Sequence, residues 1–137
     1  MSFKEIKEID NNFKSSVIIL NFNAKEQKLI KQILMINGIK SSIYIDNKNN
    51  LNTIIDILNN NIVESDKSSL RDKAIIFSGI PNNKVNAVLE GMKKLKLNNI
   101  LKAVVTETSI NWTIEELIKN LKEEKEGLSE GKYKIHK

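Results

Sequence analysis

Cysteine is absent from the 137 residues, which excludes disulfide bonds, thiolate nucleophiles and thiolate metal sites. The one histidine, His136, stands next to the C-terminus, so the commonest general base and the commonest metal ligand are missing from any core site. Neither a Ser/His/Asp set nor a Cys and His pair can be assembled, and neither a metal nor a cofactor is expected. Arg71 is the sole arginine and aromatic residues make up 5% of the chain, so the net charge of +5 is carried by lysine. Lysine, asparagine and isoleucine are what an AT-rich coding sequence favours. Arginine and aromatics are the side chains best suited to phosphate forks and base stacking. Their scarcity argues against nucleic acid as the main partner. No apolar run approaches the roughly 20 residues of a membrane span, and Met1 to Phe13 has no apolar signal region. A soluble, cytoplasmic protein without membrane contact is expected.

What is present is globular: 40% hydrophobic and 28% charged residues, at a length that suits one domain over 1–137. Ser2 and Glu5 fit a capping box for a short N-terminal helix lined by Phe3, Ile6, Ile9 and Phe13. Val17 to Leu20 is a continuous apolar run suited to a strand buried on both faces. A helix follows, capped by Asn23 and Glu26, with Leu29, Ile30, Ile33 and Leu34 on one face and Gly38 closing it. Ile43 to Ile45 reads as a second strand, Asp46 to Asn50 as a polar turn, and Leu51, Ile54, Ile55, Leu58 and Ile62 as one face of a second helix. After a polar connection at 63–73 the order recurs. Ala74 to Phe77 is a strand, Pro81 suits the first turn of a helix carrying Val85, Val88, Leu89 and Met92, Ala103 to Val105 is a strand, and Ile114, Leu117, Ile118 and Leu121 form a last helical face. Gly127 is placed to end that helix, ahead of a basic tail at 127–137.

The two β-α-β-α halves, 17–62 and 74–126, match at an offset of 57 in the first strand and 60 at Thr53 and Thr113. That drift implies an internal duplication with three residues inserted around the first turn and helix of the second copy. The fold class expected is α/β: a tandem repeat forming a four-stranded, mainly parallel sheet of order 2-1-3-4 with helices on both faces. Ligands of such sheets bind beyond the carboxyl ends of the strands at the switch point. Asn21, Asn23, Ser78 and Gly79 then lie at the centre of the candidate site, flanked by Asp46, Thr106, Glu107 and Thr108. Neither the dinucleotide fingerprint nor the phosphate-loop spacing occurs there. Asp46 and Glu107 hold nearly equivalent positions and suit a paired carboxylate or a hard-cation site.

The stretch Ala103 to Leu121 holds the one tryptophan. With Thr113 as N-cap, Glu116 completes a capping box and Trp112 and Leu117 form a hydrophobic staple. The preceding turn, Thr106 to Asn111, is longer and more polar than capping requires, which adds Asn111 and Trp112 to the candidate site. The sequence A-V-V-T-E-T-S-I-N-W-T-I-E-E-L-I-K-N-L-K-E-E resembles the signature of a bacterial family, domain of unknown function 3783, over roughly Ala74 to Glu124. The first half departs from it, with Asp46-Asn47-Lys48 and Asn52-Thr53 at the corresponding places. The resemblance implies homology and no mechanism.

These features are best met by a non-catalytic module that binds a small ligand or a protein partner, with a regulatory role. The alternatives are an enzyme using Glu107, with Asp46, as acid, base or metal ligand, and nucleic acid binding driven by charge alone.

Overall fold

The structure, a computed structural model, describes residues 13–65 and 70–135, the last ten by backbone alone. Of the N-terminal helix expected to be lined by Phe3, Ile6, Ile9 and Phe13, only Phe13 is described, in a bend rather than a helix; the rest of it and His136 lie outside the described residues. Element order is β1 (Ser16–Leu20), α1 (Ala24–Ile36), β2 (Ser42–Ile45), a 3-10 turn (Asn47–Asn49), α2 (Ile54–Leu58), β3 (Lys73–Ser78), α3 (Asn82–Lys94), β4 (Ile100–Val104), a second 3-10 turn (Ser109–Asn111) and α4 (Ile114–Ile135). The strands form one sheet of order β2-β1-β3-β4. Among the described residues, no helix is long and apolar enough to cross a membrane.

Alternation along the central strands divides the core in two. Val17, Ile19, Ile75 and Phe77 pack under α1 and α3, against Ile30, Leu34, Val88 and Met92. Ile18, Leu20, Ala74 and Ile76 pack on the other face, against Ile54, Ile57, Ile114 and Ile118 of α2 and α4. Residues Val17 to Leu20 and Ala74 to Phe77 are all at most 1% exposed, as their uninterrupted apolar runs require.

The sheet is mixed rather than mainly parallel. β1 pairs in parallel with β2, and β3 with β4, but β1 and β3 are antiparallel, with Ser16 opposite Ser78 and Leu20 opposite Ala74. The cause lies in α2, which is not the long helix that Leu51 to Ile62 suggests. It ends at Leu58, and Asn60 turns left-handed at φ 63. The chain then doubles back: the Asn61 N–H donates to the Asp56 carbonyl, the Val63 N–H to Asn52 Oδ1, and the Ser65 N–H to the Lys48 carbonyl. It returns beside the end of β2, so β3 enters from the edge where β1 leaves. Leu51 and Ile62, assigned to the helix face by their spacing, are 55% and 37% exposed.

Other boundaries shift for local reasons. Pro81 is the N-cap of α3, one place ahead of its first turn. β4 begins at Ile100 because pairing with β3 starts at Lys73. α4 runs through Gly127 to Ile135; the lysines, glutamates and leucine around the glycine are good helix formers and carry the helix past it.

Residues 58 apart occupy like places in β1 with α1 and in β3 with α3. Residues 57 apart, such as Val17 and Ala74, face opposite layers, whereas Val17 and Ile75 share one. α1 and α3 each have 13 residues. Asn21 and Gly79 before them, and Gly38 and Lys96 after them, are all left-handed. Ser42 and Lys102, which pair with Val17 and Ile75, are 60 apart, so the extra length is two residues between α3 and β4. Three corresponding pairs meet across the molecule. Ile18 is opposite Ile76 in the sheet, Ile33 packs on Gly91 between α1 and α3, and Thr53 bridges Thr113 on the α2 and α4 side. Around that bridge the Ile54 N–H donates to the Trp112 carbonyl at 2.9 Å and the Ile114 N–H to the Asn52 carbonyl at 3.0 Å.

Candidate functional site

The antiparallel centre sends the carboxyl ends of β1 and β2 to one edge of the sheet and those of β3 and β4 to the other. Ser78 lies level with Ser16, five residues from Asn21, or roughly 17 Å along the strands. Asn21, Asn23 and Asp46 therefore belong to one edge, and Ser78, Gly79 and the turn after β4 to the opposite one. The common site expected at a parallel switch point does not form. Asp46 and Glu107 follow the two outer strands at diagonally opposed corners, roughly 20 Å apart, and do not make a carboxylate pair. Among the described residues no cluster of three His, Cys, Asp or Glu side chains is placed to hold a metal ion.

Most of the candidate residues have structural bonds. Asn21 Nδ2 donates to the Asp72 carbonyl at 2.8 Å, joining the end of β1 to the entry of β3. Asn23 caps α1, its Oδ1 accepting from the Glu26 N–H at 2.8 Å, and Asp46 caps the first 3-10 turn. Ser78 Oγ, fully buried, donates to the Lys14 carbonyl at 2.6 Å, and Gly79 lies against the backbone of Phe13 to Ser15. Thr106 and Ser109 are bonded reciprocally, each N–H donating to the other's hydroxyl at 3.0 Å. The Thr113 and Glu116 capping box forms as its spacing requires, and Trp112 is half-buried against the α2 and α4 core, to which Leu117 also belongs.

At the first edge Glu26 accepts from the Asn23 N–H at 3.0 Å and from Lys73 Nζ at 2.6 Å. The same ammonium lies 5.7 Å from the centre of the Phe22 ring. Burial pushes the Glu26 carboxyl up, but the Lys73 ammonium and the Asn23 N–H outweigh it and hold the group below its ordinary value of 4.5. A depressed carboxylate stabilises the fold fully above the unfolded value and loses that contribution as pH falls through the folded one. Replacing Glu26 by Gln is therefore expected to lower Tm clearly at pH 6 and much less at pH 3. Thermal melts of both proteins across that range check it, and a Tm difference independent of pH would show that the ion pair contributes nothing.

The two polar turns differ in kind. In the first, the asparagines are bonded inward, with Asn50 Oδ1 alone left without a partner among the described residues: Asn49 Oδ1 accepts from the Asp46 N–H, and Asn52 Nδ2 donates to the Asn49 and Val63 carbonyls. Asn50 Nδ2 donates to Glu115 Oε1. Asn49, Asn50 and Asn52 are all buried. In the second turn Glu107, Thr108 and Asn111 are exposed, and their side chains make no hydrogen bond among the described residues.

A concave feature escaped the sequence reading. A cleft of about 370 Å³ opens between the C-terminal half of α3 and β4, floored by Leu89, Met92, Leu97 and Ile100 and rimmed by Lys93 and Lys102. The signal available was Lys102 itself, a charge inside the strand Ile100–Val104 at a position that alternates with the core.

No curated protein and no solved structure matches this chain. Residues 73–128 match the profile of a family described as "Domain of unknown function (DUF3783)". The match covers β3, α3, β4, the exposed turn and α4 into its fourth turn, and so contains both the free polar side chains and the cleft. From Lys73 to Leu128 the chain is similar to the DUF3783 family.

Proposed function

We propose that the protein is a non-catalytic binding module with a regulatory role, and that the turn Thr106 to Asn111 is the surface it offers to a protein partner. The observation that carries this reading is the contrast between the turns. Buried asparagines fill the first, whereas in the second the side chains of Glu107, Thr108 and Asn111 stand exposed and make no hydrogen bond among the described residues. A rigid base supports them, because Ser109 and Ile110 are buried and the reciprocal Thr106 and Ser109 bonds fix the backbone. A projecting polar turn suits contact with another protein, while small ligands favour concave sites. The separation of Asp46 and Glu107 opposes the enzyme reading in which the two act as a pair and leaves Glu107 alone as its acid or base.

Native mass spectrometry of the protein isolated gently from its own cells tests this, with a Glu107→Gln, Thr108→Ala, Asn111→Ala triple variant beside it. A co-purifying chain is expected on the wild type and not on the variant, with Tm unchanged within about 2 °C, as for surface substitutions that make no internal bonds. A partner retained equally by both would overturn the role of the turn.

We further propose that the halves are diverged copies of one β-α-β-α unit, related by a twofold axis through the Ile18–Ile76, Ile33–Gly91 and Thr53–Thr113 pairs. Support comes from the equal lengths of α1 and α3, matching left-handed residues and the reciprocal bonds around the threonine bridge, although α2 has 5 residues and α4 has 22. The Asp56 N–H donates to Thr53 Oγ1 just as the Glu116 N–H does to Thr113 Oγ1. On this view the second copy kept an exposed turn and the first converted its own into an internal brace.

A further inference from the structure

The geometry points to the cleft between α3 and β4 as a binding site for a small anionic amphiphile, a carboxylate or phosphate monoester carried on an apolar body. This site is separate from the turn proposed for protein contact and does not depend on it.

Three observations converge. The first is the chemistry of the lining. Leu89, Met92, Leu97 and Ile100 make an apolar floor, and Lys93, Lys102, Asn98 and Asn99 make a rim of hydrogen-bond donors. Glu90 is the one carboxylate in the lining, which leaves an excess of one positive charge. The volume, about 370 Å³, lies at the lower end of the range for small-ligand sites. Neither lysine makes an ion pair or hydrogen bond within the described residues, so both ammonium groups are available to a ligand.

The second is where the molecule keeps its charge. Residues 22–40 and 80–99, which form the α1 and α3 layer, carry eight lysines against two glutamates. Residues 46–65 and 105–125, on the opposite face, carry four lysines against eight carboxylates. The net charge of the chain hides this division, because the layers are interleaved in sequence and separate only on folding. The cleft opens on the basic layer, where the summed field favours an anion.

The third is the difference in length between the halves. The two extra residues between α3 and β4 fall within Asn98 to Leu101, beside the left-handed Lys96 and Asn99. Asn98, Asn99 and Ile100 line the cleft. At the position corresponding to Lys102, β2 has Ser42, whose hydroxyl donates to the Tyr44 hydroxyl at 2.8 Å. The tighter connection and the tyrosine leave β2 with a polar contact in place of a charge at that position. A lysine on an edge strand also discourages strand-to-strand aggregation, but that purpose accounts for neither Lys93 nor the apolar floor.

Octanoate, 1-octanol and inorganic phosphate, titrated separately into 15N-labelled protein, test the proposal. Octanoate should shift the amides of Leu89, Leu97, Ile100 and Lys102 saturably, with 1-octanol at least tenfold weaker and phosphate at least tenfold weaker. A Lys93→Ala, Lys102→Ala double variant should weaken octanoate at least tenfold. Lys28→Ala, which removes a charge from the exposed side of α1, should leave it within twofold. Equal affinity for octanol would show a merely greasy hollow, equal affinity for phosphate a merely charged surface, and absence of shifts at these amides no site; each of these overturns the proposal. Loss of octanoate binding in Lys28→Ala to the same degree would overturn it too, by assigning the effect to the layer's general field. Fold integrity is read from the unshifted amides of β1 and β3 in the same spectra.

Discussion

Gly79→Ala should destabilise the protein by about 3 kcal/mol and lower Tm by roughly 10 °C, more than its size suggests. Two costs add. Gly79 has φ 62, and an L-residue held there costs about 1–2 kcal/mol. The added Cβ would also meet the Phe13 carbonyl oxygen at 2.9 Å, the Lys14 carbonyl oxygen at 3.2 Å and Ser15 Cα at 3.3 Å. These are backbone atoms, and the segment holding them is tied down by the Ser78 bond to Lys14, so relief requires moving chain rather than a side chain. Overpacking of that kind costs about 1–3 kcal/mol. Gly38→Ala is the control: φ is 78, but its Cβ would meet only Lys84 Nζ, at 3.3 Å, the far end of a flexible chain. Its cost should stay near 1 kcal/mol. Urea denaturation of the two variants checks this, and equal losses would show that the approach of residues 13–15 to Gly79 carries no weight.

The same glycine shows why the site was only partly legible in the sequence. The sequence places Ser78-Gly79 in a ligand site because a parallel switch point would lie there. Strand order was readable, since short βαβ units leave few ways to order four strands. Strand direction was not, because it turns on where α2 stops. Leu51, Ile54, Ile55, Leu58 and Ile62 have helical spacing, yet nothing in that spacing reveals that Asn60 turns left-handed or that Asn52 captures both the N–H and the carbonyl of Val63. That left-handed residue and those two side-chain bonds reverse the chain and with it β3. Capping, by contrast, was legible, because Asn23 with Glu26 and Thr113 with Glu116 act over three residues and need no tertiary context. An offset of 57 aligns strands that are apolar on both faces, whereas the layers place Val17 with Ile75 rather than Ala74. Such runs carry no parity, so a slip of one residue is invisible until the faces are known. The cleft was hidden for a related reason: Lys93 and Lys102 are nine residues apart and meet only because β4 lies beside α3.

Exchanging Ile33 and Gly91 should restore most of the stability that either single change removes. Ile33 is 8% exposed and packs on the bare backbone of Gly91, where a Cβ would stand 3.1 Å from Ile33 Cγ2. Truncating it in Ile33→Gly removes a buried side chain and puts glycine in mid-helix, together about 4 kcal/mol. Gly91→Ile forces two branched side chains into a space that fits one, at about 2–3 kcal/mol. If α1 and α3 are related by an axis passing between these positions, the double variant rebuilds the same contact from the other side. It should then lie within about 1 kcal/mol of the wild type, with a coupling of at least 4 kcal/mol in the double-mutant cycle. Two helices that merely happen to cross at residues 33 and 91 would present different neighbours to the transferred isoleucine, and the double variant would be about as unstable as the two losses added. Calorimetry on the four proteins separates these outcomes. Only the first is compatible with two copies of one unit, because an isoleucine on such an axis would confront its own counterpart, and replacing either one by glycine makes room for the other.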